Sequence, residues 1–181
     1  MPTHNRHINP WVIKTLKKLN PKRVVDVGSG SGEYGEMIAN CLEDCIVIGV
    51  EIYEPYLKHF SSLTKHYSKM ILGDIRNVIH EEEIYGDLII FGDLLEHLPK
   101  KDVHPLLRES IKKFEYVLVA SPIGFTPQIR PLEGDNISFK NLYERHLCGL
   151  TRKDFKKYNV IDYREFRGSQ FVLLIWGGIV N

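Results

Sequence analysis

Cysteine is scarce in this chain: three in 181 residues, at Cys41, Cys45 and Cys148. An odd count argues against a disulfide framework, and no second pair joins Cys41 and Cys45 to complete a zinc site. The thiols point to a reducing compartment, so a cytoplasmic protein is expected. A charge excess is lacking too. Lys and Arg total 24 against 23 Asp and Glu, which implies no dominant basic surface for non-specific nucleic-acid binding. Long hydrophobic runs are missing. The longest late one, "FVLLIWGGIV", is far short of the ~20 residues that span a bilayer. The start "MPTHNRHINPW" lacks the apolar core of a signal peptide. No membrane insertion is expected, and no internal repeat is present.

What is there suffices for one domain. Apolar residues make up 43% of the chain, enough for a single core and too few residues for two ordinary ones. "NPWVIKTLKKLNP" predicts a helix capped at Asn9, with Val12, Ile13, Leu16 and Leu19 at helical spacing. Five apolar runs then alternate with helical patterns: "KRVVDVG", "CIVIGVE", "SKMILGD", "YGDLIIFGD" and "EYVLVASP". The helices expected between them are "EYGEMIANCLE", one helix over "YEPYLKHFSSLTKHY", a brief one at "NVIHEEE", and "VHPLLRESIKKF" with an irregularity at Pro105. This rhythm predicts an α/β fold, a Rossmann-like doubly wound and mostly parallel sheet. "NVIDYREFRG" and "SQFVLLIWG" have no helix between them and should close the sheet as an antiparallel hairpin. Seven strands result. The expected organisation is one domain over residues 1–181, with an N-terminal extension carrying a helix at 1–21 and an insertion or acceptor-side loop at 122–150.

Between the first strand and its helix lies "VVDVGSGSGEYGE". Such a turn presents backbone N–H groups at a helix start and lets a ligand approach closely. The nicotinamide pattern G-x-G-x-x-G would need a glycine at position 33, which is Glu33. A phosphate-loop Gly-Lys-Ser/Thr is missing as well. The glycines stand instead at 28, 30 and 32. Glu51 ends the second strand, where a carboxylate can accept two hydrogen bonds from a ribose diol. Asp74 ends the third, where it could accept from an adenine amino group or simply form the turn after Gly73.

These motifs at these spacings resemble the class I methyltransferases dependent on S-adenosyl-L-methionine. "VVDVGSGSG", "VIGVE", the "GD" after strand three, "DLIIFGDLLEHL" and the terminal hairpin carry the resemblance, over roughly Val24 to Gly177. It implies the strand order 3-2-1-4-5-7-6. It also implies that Asp26 and the turn of Gly28, Ser29, Gly30 and Gly32 hold the methionine portion, partly through water. Glu51 would take the ribose, Ile52 would pack on the adenine, and Asp74 and Ile75 would meet its edge and face. Phe91, Gly92 and Asp93 would line the region near the sulfonium.

The chemistry-bearing residues after strand four are His97 and Glu96. Histidine could remove a proton from an acceptor, and Glu96 could orient it or act as a base itself. Local hydrogen bonding or packing is the plainer reading of both. No metal is expected, because Asp93 and His97 come without a third ligand in the sequence. The insertion offers Phe125, Gln128, Arg130, Asn136, Tyr143, Arg145 and His146 to an acceptor; loops of this length are often lids or binding loops, and the plainer reading is an ordinary surface excursion. Thr151 and Asp154 read as a variant capping box. "EGDN…ERHLCGLTRKDF" resembles a segment that in bacterial small-domain methyltransferases lies beside the substrate entrance and leads into a helix before strand six. "PIGF" departs from the Asn-Pro-Pro-Tyr motif of enzymes that methylate nucleic-acid bases or glutamine, while "DLLEHL" resembles enzymes acting on metabolites, glycans or lipid-linked intermediates. The resemblance thus implies methyl transfer to a small-molecule or glycan-precursor acceptor. The alternatives are an RNA or protein methyltransferase and an inactive cofactor-binding regulatory or partner protein.

Overall fold

β-branched runs form the strands. The computed structural model describes residues 6–127 and 140–176. Gln128, Arg130 and Asn136, offered above to the acceptor, lie outside the described residues. The strands are β1 (Arg23–Val27), β2 (Ile46–Glu51), β3 (Lys69–Leu72), β4 (Gly86–Gly92), β5 (Phe114–Pro122), β6 (Val160–Phe166) and β7 (Ser169–Ile175). They form one sheet in the order β3-β2-β1-β4-β5-β7-β6. Neighbours pair in parallel except β7, which runs antiparallel to both β5 and β6. Arg167 and Gly168 turn the β6–β7 hairpin with φ of 48° and 80°, the left-handed pair that a two-residue connection needs. The expected fold, strand order and closing hairpin are all present.

The central strands are covered on both sides, which explains their near-continuous apolar sequence. Val25, Val27, Ile89 and Phe91 face one layer, with Val103 and Leu107 of α6 (Lys100–Lys113). Val24, Leu88 and Ile90 face the other, with α1 (Asn9–Leu19) and α2 (Glu33–Cys41). Among the described residues no helix is long and apolar enough to cross a membrane.

Local details differ from expectation. Asn9 is the first residue of α1 rather than its cap, and Ile8 precedes it without a side-chain bond. The single helix expected over 53–67 is two, α3 (Glu54–His59) and α4 (Ser62–His66). Phe60 between them is extended, and Ser62 Oγ donates to the carbonyl of Ser31 at 2.5 Å, tying α4 to the glycine turn. The brief helix near 77 starts earlier, as α5 (Ile75–Val78), because Asp74 caps it. Pro105 leaves α6 unbroken. Its missing N–H removes only a bond near the helix start. The segment before β6 is a 3₁₀ turn, Arg152–Phe155, in which the Asp154 carboxylate accepts from the Thr151 N–H at 2.8 Å.

Candidate active site

The glycine turn is held by β2. The N–H groups of Gly28 and Ser29 both donate to the carbonyl of Val50, at 2.8 and 3.3 Å. All three glycines have positive φ: 73°, 52° and 85° at Gly28, Gly30 and Gly32. Side chains rarely adopt this backbone, so the spacing 28-30-32 is a geometric requirement. Glu51, 4% exposed, braces the turn from the end of β2. Its Oε2 accepts from the Gly30 N–H at 3.0 Å and its Oε1 from the Tyr53 N–H at 2.8 Å. Burial pushes its carboxyl up, and the two amides oppose that shift.

Beyond the carboxyl ends of the strands lies a cavity of about 540 Å³, the position where open α/β sheets bind ligands. Of the residues expected to hold a cofactor, Gly28, Ser29, Gly30, Glu51, Ile52, Asp74, Ile75, Gly92 and Asp93 line it. Asp26, Gly32 and Phe91 do not. Phe91 is a core residue at 0% exposure and Asp26 is 1% exposed. The Asp26 carboxylate accepts from the Tyr67 hydroxyl at 2.5 Å, and that hydroxyl accepts from the Gly35 N–H at 3.1 Å. Asp26 therefore anchors α2 behind the turn. Asp74 caps α5 through the Arg76 N–H at 2.9 Å and also pairs with the Arg76 guanidinium. That pairing holds its carboxyl below the usual range.

Tyr34, Arg76 and Tyr56 are among the cavity residues that the sequence does not mark. Tyr34 reads as core because it shares a helix face with Ile38, yet its ring also walls the cavity beside Gly92. A Cβ at Gly92 would lie 2.0 Å from that ring. Burial, followed by the nearby Asp93, raises the Tyr34 phenol well above its ordinary value. Arg76 and Tyr56 carry no local motif, and they reach the cavity only through tertiary packing.

The far end of the cavity is built by two segments. Asp93 leaves β4 with φ of 47°, a left-handed conformation that Asp tolerates, and leads into the 3₁₀ turn Leu95–His97. The segment 140–150 returns against this turn. The N–H groups of Leu147 and Cys148 donate to the carbonyl of Glu96 at 2.7 and 3.1 Å. Tyr56 donates to Glu144 at 2.8 Å from the opposite wall. Tyr143, Arg145 and His146 of the insertion line the cavity, as do Glu96 and His97, whereas Phe125 is 59% exposed and stands outside it. Which described residues of the insertion face inward is not legible in the sequence.

Glu96 is 2% exposed. Burial, and then Asp93, pushes its carboxyl well above the ordinary value. Burial lowers the pKa of His97, with Glu144 opposing. His97 Nδ1 lies 3.2 Å from the carbonyl of Arg145, and His146 Nδ1 lies 2.6 Å from that of Thr126. A carbonyl only accepts, so each Nδ1 carries a proton and donates it. One donor atom each from Glu96, His97 and His146 lies within 4.8 Å of the other two. The fold thus brings His146 to Glu96 and His97, while Asp93, weighed with His97 from the sequence, is not part of this group.

Residues 24–113 match the family described as a methyltransferase domain. No curated protein matches the chain significantly in sequence. Among solved structures, the N-terminal domain of EvdMO1, determined in the presence of SAH and D-fucose, superposes with a TM-score of 0.65 at 11% identity, covering 96% of this chain and 84% of that one. The methyltransferase domain of bacterial CtHen1-CN gives 0.65 at 18%, covering 94% and 98%. A S-adenosylmethionine-dependent methyltransferase from Clostridium acetobutylicum gives 0.68 at 11%, covering 98% and 94%. At such identities the likeness is one of fold.

Proposed function

The chain belongs to the class I S-adenosylmethionine-dependent methyltransferases, and we propose that it methylates a small-molecule or glycan-precursor acceptor. The residues suit this cofactor. The backbone of Gly28, Ser29, Gly30 and Ser31 lines the cavity, and at Gly92 a Cβ would strike Tyr34, so the wall stays close to the backbone. The acids Glu33 and Asp93 line the cavity, where they suit an ammonium and a sulfonium centre. When bound, the cofactor supplies an activated methyl group on sulfur.

The observation that carries the acceptor reading is the cavity's second wall. Residues 141–147 pack over the turn that follows β4, so cofactor cradle and acceptor groups share one enclosure of about 540 Å³. That size is typical of sites for small ligands. Walls on both sides would hold the acceptor in line with the methyl, and such positioning supplies much of the rate when the donor is already activated. His97 and Glu96 stand at the acceptor end. The three free thiols support a cytoplasmic setting.

Transfer of labelled methyl from S-adenosylmethionine to a panel of sugars, glycan precursors, other metabolites, RNA and protein tests the proposal. Label in sugars or metabolites supports it. Label confined to RNA or protein overturns it.

A further inference from the structure

We propose that Glu96, His97 and His146 form a site for a first-row divalent transition ion, which holds an acceptor hydroxyl beside the methyl donor. The ion site stands on its own geometry, while its role toward the acceptor rests on the reading of function above.

Four observations converge on it. Glu96 is 2% exposed, yet its Oε2 has no hydrogen-bond partner among the described residues. A buried carboxylate oxygen left this way is costly unless a cation or a donor meets it. Second, both imidazoles are tied through Nδ1 to backbone carbonyls. This is how ligating histidines are oriented, with Nε2 presented to a metal. Third, the two rings stand edge to face with centroids 4.8 Å apart, and one donor atom from each of the three residues falls within 4.8 Å of the others. Ligands of a tetrahedral ion, bound at about 2.0–2.1 Å, lie about 3.3–3.5 Å apart, so loading needs a contraction of up to about 1.5 Å. Fourth, the register of His146 is fixed by the turn that carries the other two ligands. Leu147 and Cys148 hydrogen-bond the carbonyl of Glu96, and Lys100 Nζ donates to the carbonyl of Gly149 at 2.7 Å.

A general base would require one histidine. Two oriented imidazoles facing one buried carboxylate instead make a shared cation site. Two nitrogens and one oxygen favour a first-row transition ion over Mg²⁺ or Ca²⁺, which prefer all-oxygen sets. Three protein ligands leave at least one position open, the mark of a catalytic rather than a structural site. A hydroxyl bound there loses its proton more readily. That proton passes to solvent, and the oxygen forms the O–CH₃ bond as the S–CH₃ bond breaks. The products are a methyl ether, S-adenosylhomocysteine and a proton, with the ion unchanged.

The test uses the full chain stripped with a chelator. Calorimetric titration with Mn²⁺, and Co²⁺ followed by its visible bands, should show one ion per chain, with Mg²⁺ weaker. His146→Ala and His97→Asn should each weaken ion binding by at least about 100-fold, more than loss of an outer-shell partner typically does. Affinity for S-adenosylhomocysteine, which also reports folding, should stay within about threefold, or under 1 kcal/mol. No uptake of either transition ion by the wild type, or variants that bind it as tightly, overturns the site. Loss of cofactor binding would instead count against the functional reading. With an acceptor in hand, chelation should abolish turnover and Mn²⁺ restore it. Turnover indifferent to chelation overturns the ion's role toward the acceptor.

Discussion

The Tyr67 hydroxyl donates to the buried carboxylate of Asp26 at 2.5 Å. The same hydroxyl accepts from the Gly35 N–H, so one phenol joins the end of β1 to the start of α2. Removing it strands polar groups inside the protein. Tyr67→Phe should destabilise the fold by about 1–3 kcal/mol. Urea denaturation checks this through the midpoint, with the slope unchanged if the denatured state is unaltered.

Gly92 tests the cradle from the other side. A methyl at this position meets the Tyr34 ring at 2.0 Å, so the ring that walls the cavity must move. Gly92→Ala should weaken binding of S-adenosylhomocysteine at least about tenfold, or 1.4 kcal/mol. Calorimetry measures it directly.

Glu51 both braces the glycine turn and faces the cavity. In Glu51→Gln the amide NH₂ must oppose the N–H of Gly30 or of Tyr53. Affinity for S-adenosylhomocysteine should fall at least about tenfold. An unchanged dissociation constant would remove Glu51 from the site.

Asp74 gives a pH signature. Its pairing with Arg76 lowers its folded carboxyl below 3.8. A depressed carboxyl contributes stability that is present above the unfolded value, about 3.9, and is lost as pH falls through the folded one. Asp74→Asn should therefore be less stable than wild type at pH 6, and the gap should narrow as pH drops below 3.8. Urea midpoints at pH 6 and pH 3 measure it.

Much of the fold was legible because the core strands announce themselves. Leu88 to Phe91 are apolar without interruption and buried on both faces, and the missing helix before β7 marked the hairpin. The glycine turn was legible for the same local reason, since 28-30-32 encodes backbone torsions. The break at Phe60–Ser61 was not, because α4 is placed by a long-range bond from Ser62 to Ser31. Nor was the position of Asp26, an acid beside the glycine motif that faces Tyr67 rather than the cavity. His146 is the clearest case. It lies 49 residues beyond His97, and only the hydrogen bonds of Leu147 and Cys148 to Glu96 bring it home. Contacts of that range leave no periodicity to read.

The most direct test of the central claim is calorimetric titration of the full chain with S-adenosylhomocysteine and, separately, NADH. One sulfur cofactor should bind per chain, with no comparable binding of NADH. Heat with NADH and none with S-adenosylhomocysteine would contradict that claim.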